Sequence, residues 1–126
     1  MKLTPGGEQA LLALYEGNAG RFNIGFDRFK EVMQGWNVWV LNDGGIKAVI
    51  VERNGYGHVT KYGNEYVGLR RMKFAMNALG ISKTAVMNNY RAGHALAKRL
   101  GFKKCGIDER STYYERDKTT NQAMGG

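Results

Sequence analysis

Very little in this chain can hold a metal or a disulfide. In 126 residues there is one cysteine, Cys105, and only two histidines, His58 and His94. A single thiol excludes an intrachain disulfide, and these three side chains are too few for a structural zinc site. No metal site is expected, and Cys105 reads as a small packed side chain. Long apolar runs are missing too, since no segment approaches the roughly 20 residues that a membrane span takes. The N-terminal MKLTPGGEQALLALYEG has neither the unbroken apolar core nor the small-residue cleavage site of a signal peptide. The expectation is a cytoplasmic protein with no membrane partner. Acidic residues are also scarce, 11 Asp and Glu against 19 Lys and Arg, a net charge of +8. That balance favours anionic partners: nucleic acid, a phosphorylated cofactor or an acidic protein surface. Simple solubility accounts for it equally well.

With 43% hydrophobic and 24% charged residues, the composition suits one soluble domain with a modest core. The expected organisation is a single domain over residues 1–117 and a polar tail, KTTNQAMGG, over 118–126. EQALLALYEG and FDRFKEVMQGW space their apolar residues three and four apart (Leu11, Leu12 and Tyr15, then Phe26, Phe29, Val32 and Met33), which predicts two short amphipathic helices. From Trp36 the pattern changes. WNVWVL, IKAVIVE and YGHVTKY are separated by Asp43-Gly44 and Asn54-Gly55, turn pairs that accept positive φ, and predict a three-strand antiparallel meander. GLRRMKFAMNALG returns to helical spacing and stops at Gly80. ISKTAVM is then a strand lying parallel to the preceding one through a right-handed crossover. The segment NNYRAGHALAKRLGF is a polar loop and a helix closed by Gly101-Phe102, and KKCGIDE and STYYERD are a final pair of strands.

This order, together with NNYRAGHALAKRLGFKKCG, resembles the GNAT superfamily of N-acetyltransferases, whose members place a loop with an Asn, a helix and an "lGF" ending after their fifth strand. The resemblance runs from about Trp36 to Asp117, and Arg91 to Gly106 is its best motif. It implies an α/β fold of the α+β kind: a mixed, mostly antiparallel sheet of about six strands flanked by helices, in the order ααβββαβαββ. In that superfamily the fourth and fifth strands splay, and the backbone groups thereby freed hydrogen-bond the pantetheine arm of acetyl-CoA as an added strand would. The pyrophosphate sits at the N-terminus of the third helix, where unpaired amides favour an anion.

Carried onto this chain, the resemblance implies a cofactor loop in NEYVGLRR, with Val67, Gly68, Leu69, Arg70 and Arg71 as the cofactor-binding residues, joined by Asn89 in the loop before the fourth helix. The loop departs from the usual pattern: Gly68 is its only glycine, out of its usual place, and the second glycine position carries Arg. Guanidinium groups bind phosphate bidentately and can replace backbone amides; a bulkier loop that excludes the cofactor is the other reading. The tyrosine that often protonates the leaving thiolate falls at Ala97, and the usual asparagine place falls at Tyr90, which becomes a substitute acid. His58, on the fourth strand, has the only side chain there with an ordinary pKa near neutrality and is the candidate base, with Glu52 and Glu65 behind it. A strand histidine with no duty is the structural alternative. His94 is expected to cover or cap its helix. Trp36, Trp39, Phe74, Phe102, Tyr113 and Tyr114 are expected in the core, and Lys98, Arg99, Lys103 and Lys104 on a solvated face.

Three functions fit. One is an acyl-CoA-dependent N-acetyltransferase acting on an amine acceptor, with acetyl-CoA as cofactor. Another is a non-catalytic protein that keeps the scaffold, similar to the internal virion proteins of some short-tailed phages, which would then reside in the virion. The third is a relative that modifies nucleic acid and tracks phosphates with its basic surface.

Overall fold

The computed structural model describes residues 1–18 and 23–117; the tail expected at 118–126 lies outside them. The elements run β1 (Lys2–Pro5), α1 (Glu8–Gly17), α2 (Phe26–Val32), β2 (Asn37–Asn42), β3 (Ile46–Arg53), β4 (Tyr56–Lys61), α3 (Gly68–Leu79), β5 (Lys83–Met87), α4 (Arg91–Arg99), β6 (Lys103–Ile107) and β7 (Ser111–Glu115). The strands form one seven-stranded sheet in the order β1-β2-β3-β4-β5-β7-β6. Every pairing is antiparallel except β4 with β5. This is the expected mixed α+β architecture with one strand added, since β1 joins the edge of β2 from Lys2↔Asn42 to Pro5↔Trp39.

Alternation along the strands divides the core between the two faces of the sheet. On β3, Ala48 and Ile50 point to one side, where α3 and α4 lie, with Ala75, Met76, Ala97 and Leu100. Val49 and Val51 point to the other, against Ala10 and Leu14 of α1 and Phe29 of α2. Helix α1 thus buries Ala10 and Leu14, whereas Leu12, expected on its apolar side, is exposed, as is Val32 at the end of α2. The hairpin turns are where the sequence puts them. Asn54 (φ 52°) and Gly55 (φ 86°) form the two-residue turn between β3 and β4, the conformation that matches the twist of the flanking strands.

Helices α3 and α4 end in the same way. At α4, Gly101 (φ 90°) donates its N–H to the Lys98 carbonyl and Phe102 donates to Ala97. At α3, Gly80 (φ 65°) donates to Asn77 and Ile81 to Met76. Both are Schellman closures, in which the left-handed residue lets the chain reverse and the next apolar side chain folds back onto the last turn. Ile81 and Phe102 are buried accordingly. These closures return the chain to the sheet as β5 and β6 and fix both helices on the same face.

Two expectations on single side chains change. Cys105 is exposed, because the ladder slips between Lys104 and Gly106 and leaves it as the extra residue of a bulge on the edge strand. Trp36, Trp39, Phe74 and Tyr113 are half-buried rather than fully enclosed, while Phe102 and Tyr114 are in the core.

Candidate active site

Strands β4 and β5 are paired at one position only, Tyr56↔Lys83. Below it, Ser82 and Lys83 both donate to the Gly55 carbonyl at 2.9 and 3.0 Å; above it the strands diverge. The β3–β4 ladder is unbroken from Arg53↔Tyr56 to Ala48↔Lys61, so the parting is not caused by a bulge. In a two-residue hairpin the flanking pair, here Arg53 and Tyr56, is hydrogen-bonded, and pairing alternates from there. Tyr56, His58 and Thr60 therefore direct their main-chain groups to β3, and Gly57, Val59 and Lys61 direct theirs towards β5. The same alternation on β5, set by Lys83, turns the amides of Ala85 and Met87 towards β4. The Gly57 carbonyl finds the Thr84 hydroxyl at 2.9 Å, a side chain standing in for the missing ladder bond. Gly57 itself has no room for a larger residue: a Cβ there would lie 2.4 Å from Ile81 Cδ1.

Both helices on this face begin at the open end of the gap, because α3 follows β4 and α4 follows β5. At the start of α3, Gly68 has φ 80° and the exposed Tyr66 ring stands beside it. Val67 is buried and Leu69 packs against the core, so these two side chains belong to the interior. Arg70 is exposed. Arg71 is already committed: Nε donates to Asp43 Oδ2 at 2.9 Å and Nη1 to the Tyr66 carbonyl at 2.8 Å. The hydrogen bond from Arg71 holds the Asp43 carboxyl below its ordinary pKa. A carboxylate thus sits beside the helix start, where sequence reading saw only a turn residue.

His58 lies on the α1/α2 side of the sheet, its ring 6.4 Å from that of Trp36. It is half-buried, and desolvation lowers its pKa, so the imidazole is neutral at pH 7. Tyr90 occupies the N-cap position of α4 without a side-chain capping bond, is 40% exposed, and its ring lies against Gly93 and Val86, on the α3/α4 side. The two candidate catalytic groups thus lie on opposite faces of the sheet. Asn89 is exposed in the turn before α4. Glu52 accepts from Asn37 at 2.6 Å and Glu65 pairs with Lys47 at 3.1 Å, so both fallback carboxylates are occupied.

His94 is a structural tie. Its Nδ1 is 2.7 Å from the Tyr114 hydroxyl and its Nε2 lies 3.1 and 3.2 Å from the carbonyls of Met87 and Asn88. Carbonyls only accept, so Nε2 carries the hydrogen and, in the neutral ring, Nδ1 accepts from the tyrosine. Ala97, where a helix tyrosine would be expected, is buried in the core. A shallow cavity of about 580 Å³ opens elsewhere, at the β6–β7 edge near Lys103, Cys105 and Arg116; the strand geometry, not this hollow, locates the candidate site. Among the described residues no group of three or more His, Cys, Asp or Glu is arranged for a metal, and no helix is long and apolar enough to cross a membrane.

The fold of the chain matches that of solved N-acetyltransferases. A spermidine N-acetyltransferase chimera from Vibrio cholerae SpeG and hSSAT superposes with a TM-score of 0.66 at 11% identity, covering 98% of this chain and 99% of that one. The chain carries the GNAT fold. The Campylobacter jejuni N-acetyltransferase PseH, solved in complex with acetyl coenzyme A, matches at 0.61 with 16% identity over 90% of this chain and 95% of its own. A ribosomal-protein-alanine N-acetyltransferase from Brucella melitensis matches at 0.61 with 12% identity over 92% and 99%. No protein-family model matches the sequence, nor does any curated protein. This is a divergent GNAT-fold chain.

Proposed function

We propose that this protein is an acyl-CoA-dependent N-acetyltransferase acting on an amine. The observation that carries the reading is the parting of β4 and β5 after Tyr56↔Lys83. It leaves the main-chain groups of Val59, Lys61 and Ala85 turned into a gap, where an amide-rich arm has the chemistry to pair with them as a strand would. The residues fit such a cofactor: amides for the arm, and at the head of α3 the free N–H groups of the first turn with the exposed Arg70 beside them for phosphate. Asn89, exposed in the turn before α4, binds the same ligand in this reading.

When bound, acyl-CoA supplies an activated acyl group. The chain supplies positioning and proton handling. The neutral His58 imidazole, kept unprotonated by its partial burial, accepts a proton from the incoming amine. Tyr90, at the start of α4, holds a proton for the leaving side. Arg71 serves by fixing the loop, since its donors already hold Asp43 and the Tyr66 carbonyl.

Calorimetric titration with acetyl-CoA tests this. Micromolar binding, weakened about tenfold or more in Arg70→Ala, supports the reading. No heat at millimolar cofactor would leave the second reading, a scaffold without cofactor, which the Asp43 carboxylate beside the helix start and the buried Ala97 favour.

A further inference from the structure

The charge of this protein is not spread evenly. From Tyr66 to Ile107 the chain has nine Lys or Arg and no Asp or Glu. That stretch contains α3 and α4, which pack on the same face of the sheet. Their outward positions are Arg70, Lys73 and Asn77 on α3 and Arg91, Ala95, Lys98 and Arg99 on α4, all exposed. By contrast α1 and α2, on the opposite face, carry Glu8, Asp27 and Glu31, which pair with Arg28 and Lys30.

We infer that the outer face of α3 and α4 is a docking surface for the phosphate backbone of a nucleic-acid duplex. Helix stability does not account for Arg70, Lys73 and Arg91, whereas Lys98 and Arg99 stand in the last turn of α4, where the dipole favours cations. Neither helix has an acidic residue in its first turn, and cations stand there instead, where the helix dipole disfavours them. No intrahelical ion pair offsets them, because neither helix has an acid. The surface also lacks what a protein partner would need: among the described residues no large exposed hydrophobic lies on either helix, whereas protein interfaces are built on buried apolar anchors. Nucleic-acid interfaces are polar and positively charged. With about 1.5 Å of rise per residue, α3 and α4 extend roughly 18 and 14 Å, enough to meet several phosphates of a duplex. The small Ala78, Ala92 and Ala95 between the cations are also exposed and permit close approach. Nothing here reads base edges, so binding is sequence-independent. The inference rests on neither His58 nor the β4–β5 gap, so it stands or falls apart from the acyltransferase reading.

Fluorescence anisotropy with a labelled 20-base-pair DNA duplex at about 50 mM salt tests it in three proteins. These are the unaltered chain, an outer-face triple Lys73→Gln/Lys98→Gln/Arg99→Gln, and a triple Lys2→Gln/Arg28→Gln/Lys30→Gln that removes the same charge from the other side. The expected result is binding that weakens tenfold or more in the outer-face triple only, with the slope of log affinity against log salt reduced by about 2–3. Equal weakening in both triples, or no binding by the unaltered chain, would overturn the inference. A measurement that needs no variant accompanies it: lysine modification read by mass spectrometry with and without duplex. Protection of Lys73 and Lys98 but not of Lys2 and Lys30 supports the surface; protection of neither, or of all alike, refutes it.

Discussion

The Thr84 hydroxyl on β5 donates to the Gly57 carbonyl on β4 at 2.9 Å, where the two strands cease to pair. It closes the bottom of the gap with a side chain and leaves the backbone above it unpaired. Thr84 is buried, so replacing its hydroxyl strands a buried carbonyl. Thr84→Val is expected to lower stability by about 1–3 kcal/mol and Thr84→Ser much less, as urea unfolding would measure. Equal stability of the two variants would remove this bond from the account.

Gly57 and Ile81 occupy the same space. Gly57→Ala puts a methyl group 2.4 Å from Ile81 Cδ1 and is expected to cost about 1–3 kcal/mol through overpacking. Trimming Ile81 to Ala costs stability by itself, yet the two changes together are predicted to cost less than their sum. A double-mutant cycle by chemical denaturation reads the coupling.

His58 gives a pH signature. Its folded pKa is depressed below 6.5 by desolvation, so the unfolded chain takes up a proton before the folded one as pH falls. Stability is therefore unaffected by this group well above pH 6.5. It declines as pH drops from about 6.5 towards the folded pKa, then levels. The lowered carboxyls of Asp43 and Asp108 act only further down, below their unfolded values near 3.8. Thermal unfolding of the parent and of His58→Gln between pH 7.5 and about 5 should show the parent losing more; parallel curves would contradict the burial of this ring.

At the head of α3, Asp43→Asn removes a carboxylate that competes with an incoming phosphate and frees Arg71 to turn towards it. Acetyl-CoA is expected to bind roughly two- to fivefold more tightly, with the gain shrinking as salt rises. Weaker binding would mean that the Asp43–Arg71 pair holds the loop in its working shape.

How much of this was legible depends on whether its cause is local. Gly80 and Gly101 announce helix ends because the left-handed turn and the apolar residue after it are adjacent in sequence. Asn54-Gly55 announces its hairpin for the same reason. β1 was missed because Lys2–Pro5 is a four-residue edge strand, ended by a proline, and only its pairing with β2 makes it one. The Cys105 bulge depends on register against β7. Of the candidate residues, the resemblance points to Gly68, Arg70, Arg71 and Tyr90, and an ordinary pKa near neutrality to His58. That Asp43, from a turn 28 residues earlier, occupies Arg71 could not be read from the sequence. Nor could the burial of Val67, or the placing of His58 and Tyr90 on opposite faces. Those are properties of packing between elements.

The most direct test of the splayed-strand account is backbone amide hydrogen exchange, residue by residue, with and without saturating coenzyme A. The account predicts that the Val59, Lys61 and Ala85 amides exchange readily in the free protein and become protected on binding. Thr60, whose amide already pairs with β3, should change little. Protection confined to other regions, or none at millimolar ligand, would contradict it.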